Sequence, residues 1–236
     1  MRHLTVAFLL AFSVCFGAPA AAQIAGPNPP GPFVVDVRGA VAAIPQDAAN
    51  FPTVPPGTVI PLRGFGAMVG AHIYPIDLGS MRVGVGASVL RVRGTASPGK
   101  ADPGSPSVSS TASAVATGPD VDAILTAITP ELSLNFGSSQ GWSYVSAGMG
   151  RAYLTTGTSA FGGGLSGGAE TAAQSLDSGM RTSINVGGGA RWFAKAHLAF
   201  SMDVRVHFVS ASNAEGPAPT APRTSLFVAS VGVGLR

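Results

Sequence analysis

The chain has 236 residues, only 11% of them charged, and a formal charge of +3. Soluble domains average about 25% charged residues, so water is not the main solvent of this surface. The 32 glycines and 19 prolines argue for many turns rather than long helices, and without a lysine-arginine run or basic-aromatic interleaving, nucleic-acid binding is not expected.

At the N-terminus, Arg2 and His3 precede an apolar run over residues 4–16, and Ala20, Ala21 and Ala22 offer a small-residue cleavage site before Gln23. This pattern is a secretory signal, residues 1–22, cleaved after Ala22. The run is shorter than the roughly 20 apolar residues of a membrane-spanning helix, and no later segment reaches that length. Cys15, the one cysteine, lies inside the signal, so neither disulfides nor a thiolate metal site are expected in the mature chain. Lipidation of Cys15 is disfavoured because Val14 stands where a small residue is needed.

Residues 23–32 form a short Pro/Gly-rich segment, and 33–236 carry eight strand-like stretches: 33–43, 62–73, 81–93, 129–136, 142–154, 181–193, 198–210 and 224–236. The fourth is short unless it extends back through 124–128. In the seventh, Leu198, Phe200, Met202, Val204 and Val206 alternate with Ser201, Asp203, Arg205 and His207. Period two is a β-strand, and an apolar face opposed by real charges suits a barrel with lipid outside and a polar interior. The connections 44–61, 94–128, 155–180 and 211–223 are long, low in complexity and expected to hold few apolar residues able to pack, whereas 74–80, 137–141 and 194–197 are tight. Long extracellular loops and short periplasmic turns are the outer-membrane pattern, which gives an all-β, eight-stranded antiparallel up-and-down transmembrane barrel in the bacterial outer membrane. Two aromatic girdles are expected: Phe33, Tyr74, Phe136, Trp142 and Trp192 at the periplasmic ends, and Phe65, Tyr153, Phe208 and Phe227 at the extracellular ends.

The polar parity assigns Asp36, Arg38, Arg82, Glu131, Asn135, Arg191, Asp203, Arg205 and His207 to the lumen, four arginines against three carboxylates. Enclosed charges must pair, so a structural ion-pair network filling the bore is expected. Eight strands leave room only for side chains, whereas porin channels use about 16 to 18. His207 has no second histidine at ligand spacing, so no metal or other cofactor is expected. At the extracellular strand ends, Arg63, Arg91, Arg93, Arg151, Arg181 and Arg223, with Lys100 in a loop, suggest a basic rim for the phosphates of lipopolysaccharide.

Two catalytic patterns occur in the glycine-rich stretch: G-x-G-x-x-G over Gly162, Gly164 and Gly167, and G-x-S-x-G over Gly164, Ser166 and Gly168. Each works only between a strand and a helix, and no helical periodicity follows. Ser212-Asn213-Ala214 resembles the His-x-Ser-Asn-Ala segment of the lipid A 3-O-deacylase family, eight-stranded outer-membrane esterases. This resemblance implies Ser212 as a nucleophile, but Ser210 stands where that family has its histidine, and His207 is on the inward parity. Without a base in reach a serine is a weak nucleophile.

Asn185-Val186-Gly187-Gly188-Gly189-Ala190-Arg191-Trp192, Asp203-Val204-Arg205 and the final strand at 227–235 give a second resemblance. On them the mature region resembles the small bacterial outer-membrane β-barrels of the outer-membrane-protein-A-like superfamily, without a peptidoglycan-binding domain. Members of that superfamily commonly end in an outward aromatic, whereas the outward series here closes on Val233 and Leu235. The resemblance implies a non-enzymatic, monomeric barrel with no cofactor. It would contribute to envelope integrity or present surface loops, with the barrel assembly machinery, outer-membrane lipids and lipopolysaccharide as partners.

Overall fold

The computed structural model describes residues 32–55, 58–97, 119–138, 140–159, 174–195, 197–212 and 221–236. The expected signal, the segment at 23–31, Lys100, the glycine-rich stretch at 162–168, and Asn213 with Ala214 lie outside the described residues.

Nine strands occur among these residues: β1 (Phe33–Ala43), β2 (Arg63–Asp77), β3 (Met81–Ala96), β4 (Asp120–Ser138), β5 (Gly141–Ser159), β6 (Gln174–Asp177), β7 (Arg181–Lys195), β8 (Leu198–Val209) and β9 (Thr224–Leu235). All pair antiparallel in the order β4-β3-β2-β1-β9-β8-β7-β5, and β4 pairs back onto β5 to close the sheet. β6 pairs with the loop end of β5 (Thr155 opposite Asp177), and β7 takes up the same edge from Ala152 opposite Arg181. The two are one stave interrupted at 178–180, where Gly179 takes a φ of +72°. The barrel therefore has eight staves, closed by the pairing of β4 with β5. β4 reaches back to Asp120, well beyond the 129–136 segment recognisable by alternation.

Along β1 the side chains alternate between outside and inside without a break, and the buried set includes Asp36 and Arg38. The outward set is apolar: Val37 is 54% exposed, Leu132 61% and Val231 56%. A continuous belt of this kind is not a surface water tolerates over such an area.

The short connections lie at the end where β1 starts and β9 finishes, hereafter the turn end, and the long ones at the loop end. At the β2–β3 turn, Asp77 Oδ1 accepts from the Gly79 N–H at 2.8 Å, and Gly79 takes a φ of +82° that a side chain would resist. Pro75 has no N–H to give the ladder, and the register slips between Ile73 and Ile76.

Two expectations are corrected. Tyr74 and Trp142 do not join an outer girdle; they point inward and are 6% and 0% exposed. Phe33, Trp192, Phe65, Phe208 and Phe227 do face outward. The connection 44–62 is also not devoid of packing residues. Asp47 caps the short turn Ala48–Asn50, Gln46 Nε2 donates to the carbonyls of Ile44 and Pro61 at 3.0 Å each, and Ile44 and Phe51 are buried against residues of the loop-end bore.

Candidate functional site: the bore and the outward arginines

Successive inward positions build three layers. At the turn end Val34, Tyr74, Trp142 and Tyr144 cluster, with Phe193 against them; the Tyr74 and Trp142 rings meet edge to face at 5.9 Å. At the loop end an aliphatic cluster forms from Ala40, Met68, Leu90, Leu125, Leu154 and Leu226, with Phe51 seated on them, while β7 and β8 place Arg181, Ser183 and His207 at this end. Between these layers lie the charges. Large inward side chains face glycines on the neighbouring strand, and a Cβ on Gly189 would sit 2.7 Å from the Tyr144 hydroxyl.

Two arginine clusters make up the charged layer. Arg191 holds Asp36 bidentately, Nε to Oδ1 at 3.1 Å and Nη2 to Oδ2 at 2.6 Å, and its guanidinium lies 4.3 Å from the centre of the Tyr144 ring. Arg205 grips Asp203 through Nε at 2.6 Å and Nη2 at 3.1 Å, and its Nη1 binds Glu131. Glu131 also accepts from Ser88, and His72 Nε2 lies 3.7 Å from it. Tyr144 links the clusters: its hydroxyl donates to Asp203 Oδ2 at 2.6 Å and accepts from Arg38 Nη1 at 3.0 Å, while Arg38 stands 3.4 Å from the same carboxylate oxygen. All six ionised groups are at most 3% exposed. Planar guanidinium forks suit this bidentate grip.

Of the residues assigned to the lumen, Asp36, Arg38, Glu131, Arg191, Asp203 and Arg205 come together. Arg82 does not join them: it sits at the turn end and pairs with Asp77 at 2.9 Å. Without it the clustered groups are three guanidiniums against three carboxylates, where four against three was expected; Arg181, also buried, stands apart from them toward the loop end. His207 lies on the loop side of Arg205, with Nδ1 3.5 Å from Ser183 Oγ. Asn135 donates to Ser133 Oγ at 2.9 Å. Tyr144 and Tyr74 from the aromatic layer, with His72 and Ser88, touch the charged set and are not among the lumenal residues read from sequence. Their parity and the glycines opposite the rings were the available signals.

The Ser212 Oγ accepts from the Ala221 N–H at 2.8 Å, and the Ser212 N–H donates to the Ala221 carbonyl at 3.0 Å. His207 is buried inside the barrel. Among the described residues, no group of three or more His, Cys, Asp or Glu side chains could hold a metal ion.

The arginines of the expected rim divide. Arg63, Arg91, Arg93 and Arg151 are exposed on the outer face near the loop end, and Arg223 is exposed just before β9. Arg181 leaves the rim: it is 3% exposed, and its Nη1 donates to the Pro222 carbonyl at 3.1 Å and the Ser210 carbonyl at 3.5 Å.

No protein-family model and no curated protein matches the chain. Among solved structures, the chain is similar to Ail, the attachment invasion locus protein of Yersinia pestis, in complex with the heparin analogue sucrose octasulfate (13% identity over 86% of this chain and 96% of that one, TM-score 0.48). It is also similar to Neisserial surface protein A (14%, 87% and 97%, TM-score 0.47) and to the outer-membrane protease OmpT of Escherichia coli (7%, 87% and 97%, TM-score 0.44). Identities this low concern backbone arrangement alone. By its own strand pairing, the chain is a closed, eight-stranded, antiparallel up-and-down β-barrel, and its structural neighbours are small outer-membrane barrels.

Proposed function

We propose that the protein is a non-enzymatic, monomeric barrel of the bacterial outer membrane with a filled rather than conducting bore. It contributes to envelope integrity and presents its long loops at the cell surface. The observation that carries this reading is the inversion of the side chains: valine, leucine and phenylalanine outside, and a neutralised set of buried ions inside. Lipid is the solvent that rewards such an exterior, and a soluble barrel would reverse it. The aromatic and aliphatic layers at either end of the ions support a bore closed to solutes, in keeping with the room eight strands provide. Outer-membrane lipids and the barrel assembly machinery are the partners of this reading.

Membrane fractionation and gel migration test it together. The protein is expected in the outer-membrane fraction, and in detergent it should run at a different position before and after boiling. Recovery as a soluble periplasmic protein with unchanged migration would contradict the proposal.

A further inference from the structure

The outward belt does not end in the same way around the barrel. On β2, β3 and β5 the last apolar outward residues at the loop end are Phe65, Val89 and Met149, and the next outward position on each is an arginine: Arg63, Arg91 and Arg151. On β7, β9 and β1 the corresponding step beyond Ile184, Phe227 and Val41 brings Thr182, Ser225 and Ala43, none of them charged. The cationic edge therefore covers one side.

Strand register places Arg91 and Arg151 on either side of β4, whereas Arg63 lies two outward positions beyond Ala67, the residue opposite Arg91, and extends the patch about 14 Å farther toward the loop end. Arg91 stands opposite Thr126 on β4, which stands opposite Tyr153 on β5; one step toward the belt, Val89, Ile128 and Arg151 form the next row. With strands about 4.8 Å apart, Arg91 and Arg151 flank β4 at about 10 Å. Arg93 is tied to Asp122 at 3.0 Å, but Arg63, Arg91 and Arg151 make no hydrogen bond or ion pair among the described residues. Three unneutralised guanidiniums on an apolar margin would be a liability without an anion at that depth, while their stems can lie along the belt and lift the heads to the interface. A guanidinium fork matches a phosphate bidentately.

We propose that the outer face of β2–β5 is a binding site for the phosphate groups of a phosphorylated glycolipid in the outer leaflet, held by Arg91 and Arg151 on either side of β4 and by Arg63 farther toward the loop end, with Tyr153 beside them. This rests on the outer-membrane reading, since it needs that leaflet alongside. Acyl chains would run down the belt from Val89, Ile128 and Met149.

The test folds the full mature chain into detergent micelles and titrates it with lipid A, with enzymatically dephosphorylated lipid A, and with inorganic pyrophosphate, reading bound lipid by native mass spectrometry. Unaltered barrel migration on unboiled gels separates the two levels. A chain that never shows it contradicts the outer-membrane reading, and the lipid site with it. For a folded barrel, lipid A is expected to bind, and the R63Q/R91Q/R151Q variant should bind it about tenfold or more weakly. R223Q, on another side, should match the wild type. Dephosphorylated lipid should bind as weakly to wild type as lipid A does to the variant. Equal retention by wild type and triple variant would overturn the site. Pyrophosphate binding as tight as lipid A would assign the patch to free phosphate and overturn the lipid.

Discussion

Replacing Arg205 by Leu removes the guanidinium that serves two carboxylates at once, Asp203 through Nε and Nη2 and Glu131 through Nη1. Asp203 keeps Tyr144 at 2.6 Å and Arg38 at 3.4 Å, but Glu131 keeps only Ser88 and a histidine 3.7 Å away. Three carboxylates then face two guanidiniums. Taking one partner from a fully buried pair costs about 3–5 kcal/mol, which is roughly two to three and a half powers of ten in the folding equilibrium. Adding Glu131→Gln restores two against two, because Arg38 still serves Asp203 and Arg191 still serves Asp36. The double variant should therefore recover most of the loss, although it has lost more hydrogen bonds than the single one. Urea titration of the protein folded in lipid vesicles, followed by tryptophan fluorescence, measures both. A double variant no more stable than Arg205→Leu would refute charge imbalance as the source of the loss. A single-variant loss under about 1 kcal/mol, the range of solvent-exposed pairs, would mean that the bore is wet.

Position on the outer face should set the tolerance for charge: Val231→Arg, in the belt, is expected to cost about 2–4 kcal/mol and Ala43→Arg, at the loop end of β1, about 0–1, in the same titration. Equal losses would place the belt wrongly. Phe51→Ala should raise protease cleavage within 44–62 without creating conductance in planar bilayers, since the charged and aromatic layers below remain; a conducting variant would make this loop the sole closure. Gly189→Val should cost about 1–3 kcal/mol by overpacking, because the new Cβ meets the Tyr144 ring 2.8 Å away. Its additivity with Tyr144→Ala, which removes the ring, would show that the two positions do not interact.

Alternation carried most of the architecture into the sequence. Leu198 to Val206 shows both faces of β8, and the contrast between tight and long connections gives the antiparallel order and the common end of the termini. Parity, rather than nearness to a strand end, decides which way the remaining side chains point. Tyr74 shares its parity with His72, Trp142 with Tyr144, and Arg181 with Ser183, and all six are buried. The glycines opposite Tyr74 and Tyr144, Gly84 and Gly189, were a second sign that those rings turn inward. The seat of Phe51 was not legible locally, because the surface that receives it is assembled from inward residues of strands far apart in the chain. The make-up of the charged cluster was not legible locally either, because it is the turn geometry giving Asp77 to Arg82 that takes Arg82 out of it.

In an inverted barrel the even-numbered positions of β8 meet lipid while the odd-numbered ones are sealed inside, and spin-label accessibility measures this most directly. Single cysteines at Phe200, Ser201, Met202, Val204 and Val206, introduced into the chain lacking Cys15, would be labelled and the protein folded into bilayers. Positions 200, 202, 204 and 206 should be relaxed by oxygen and shielded from a water-soluble nickel reagent, whereas 201 should be shielded from both. Nickel access at the even positions, or oxygen access without alternation along the strand, would contradict the inverted barrel.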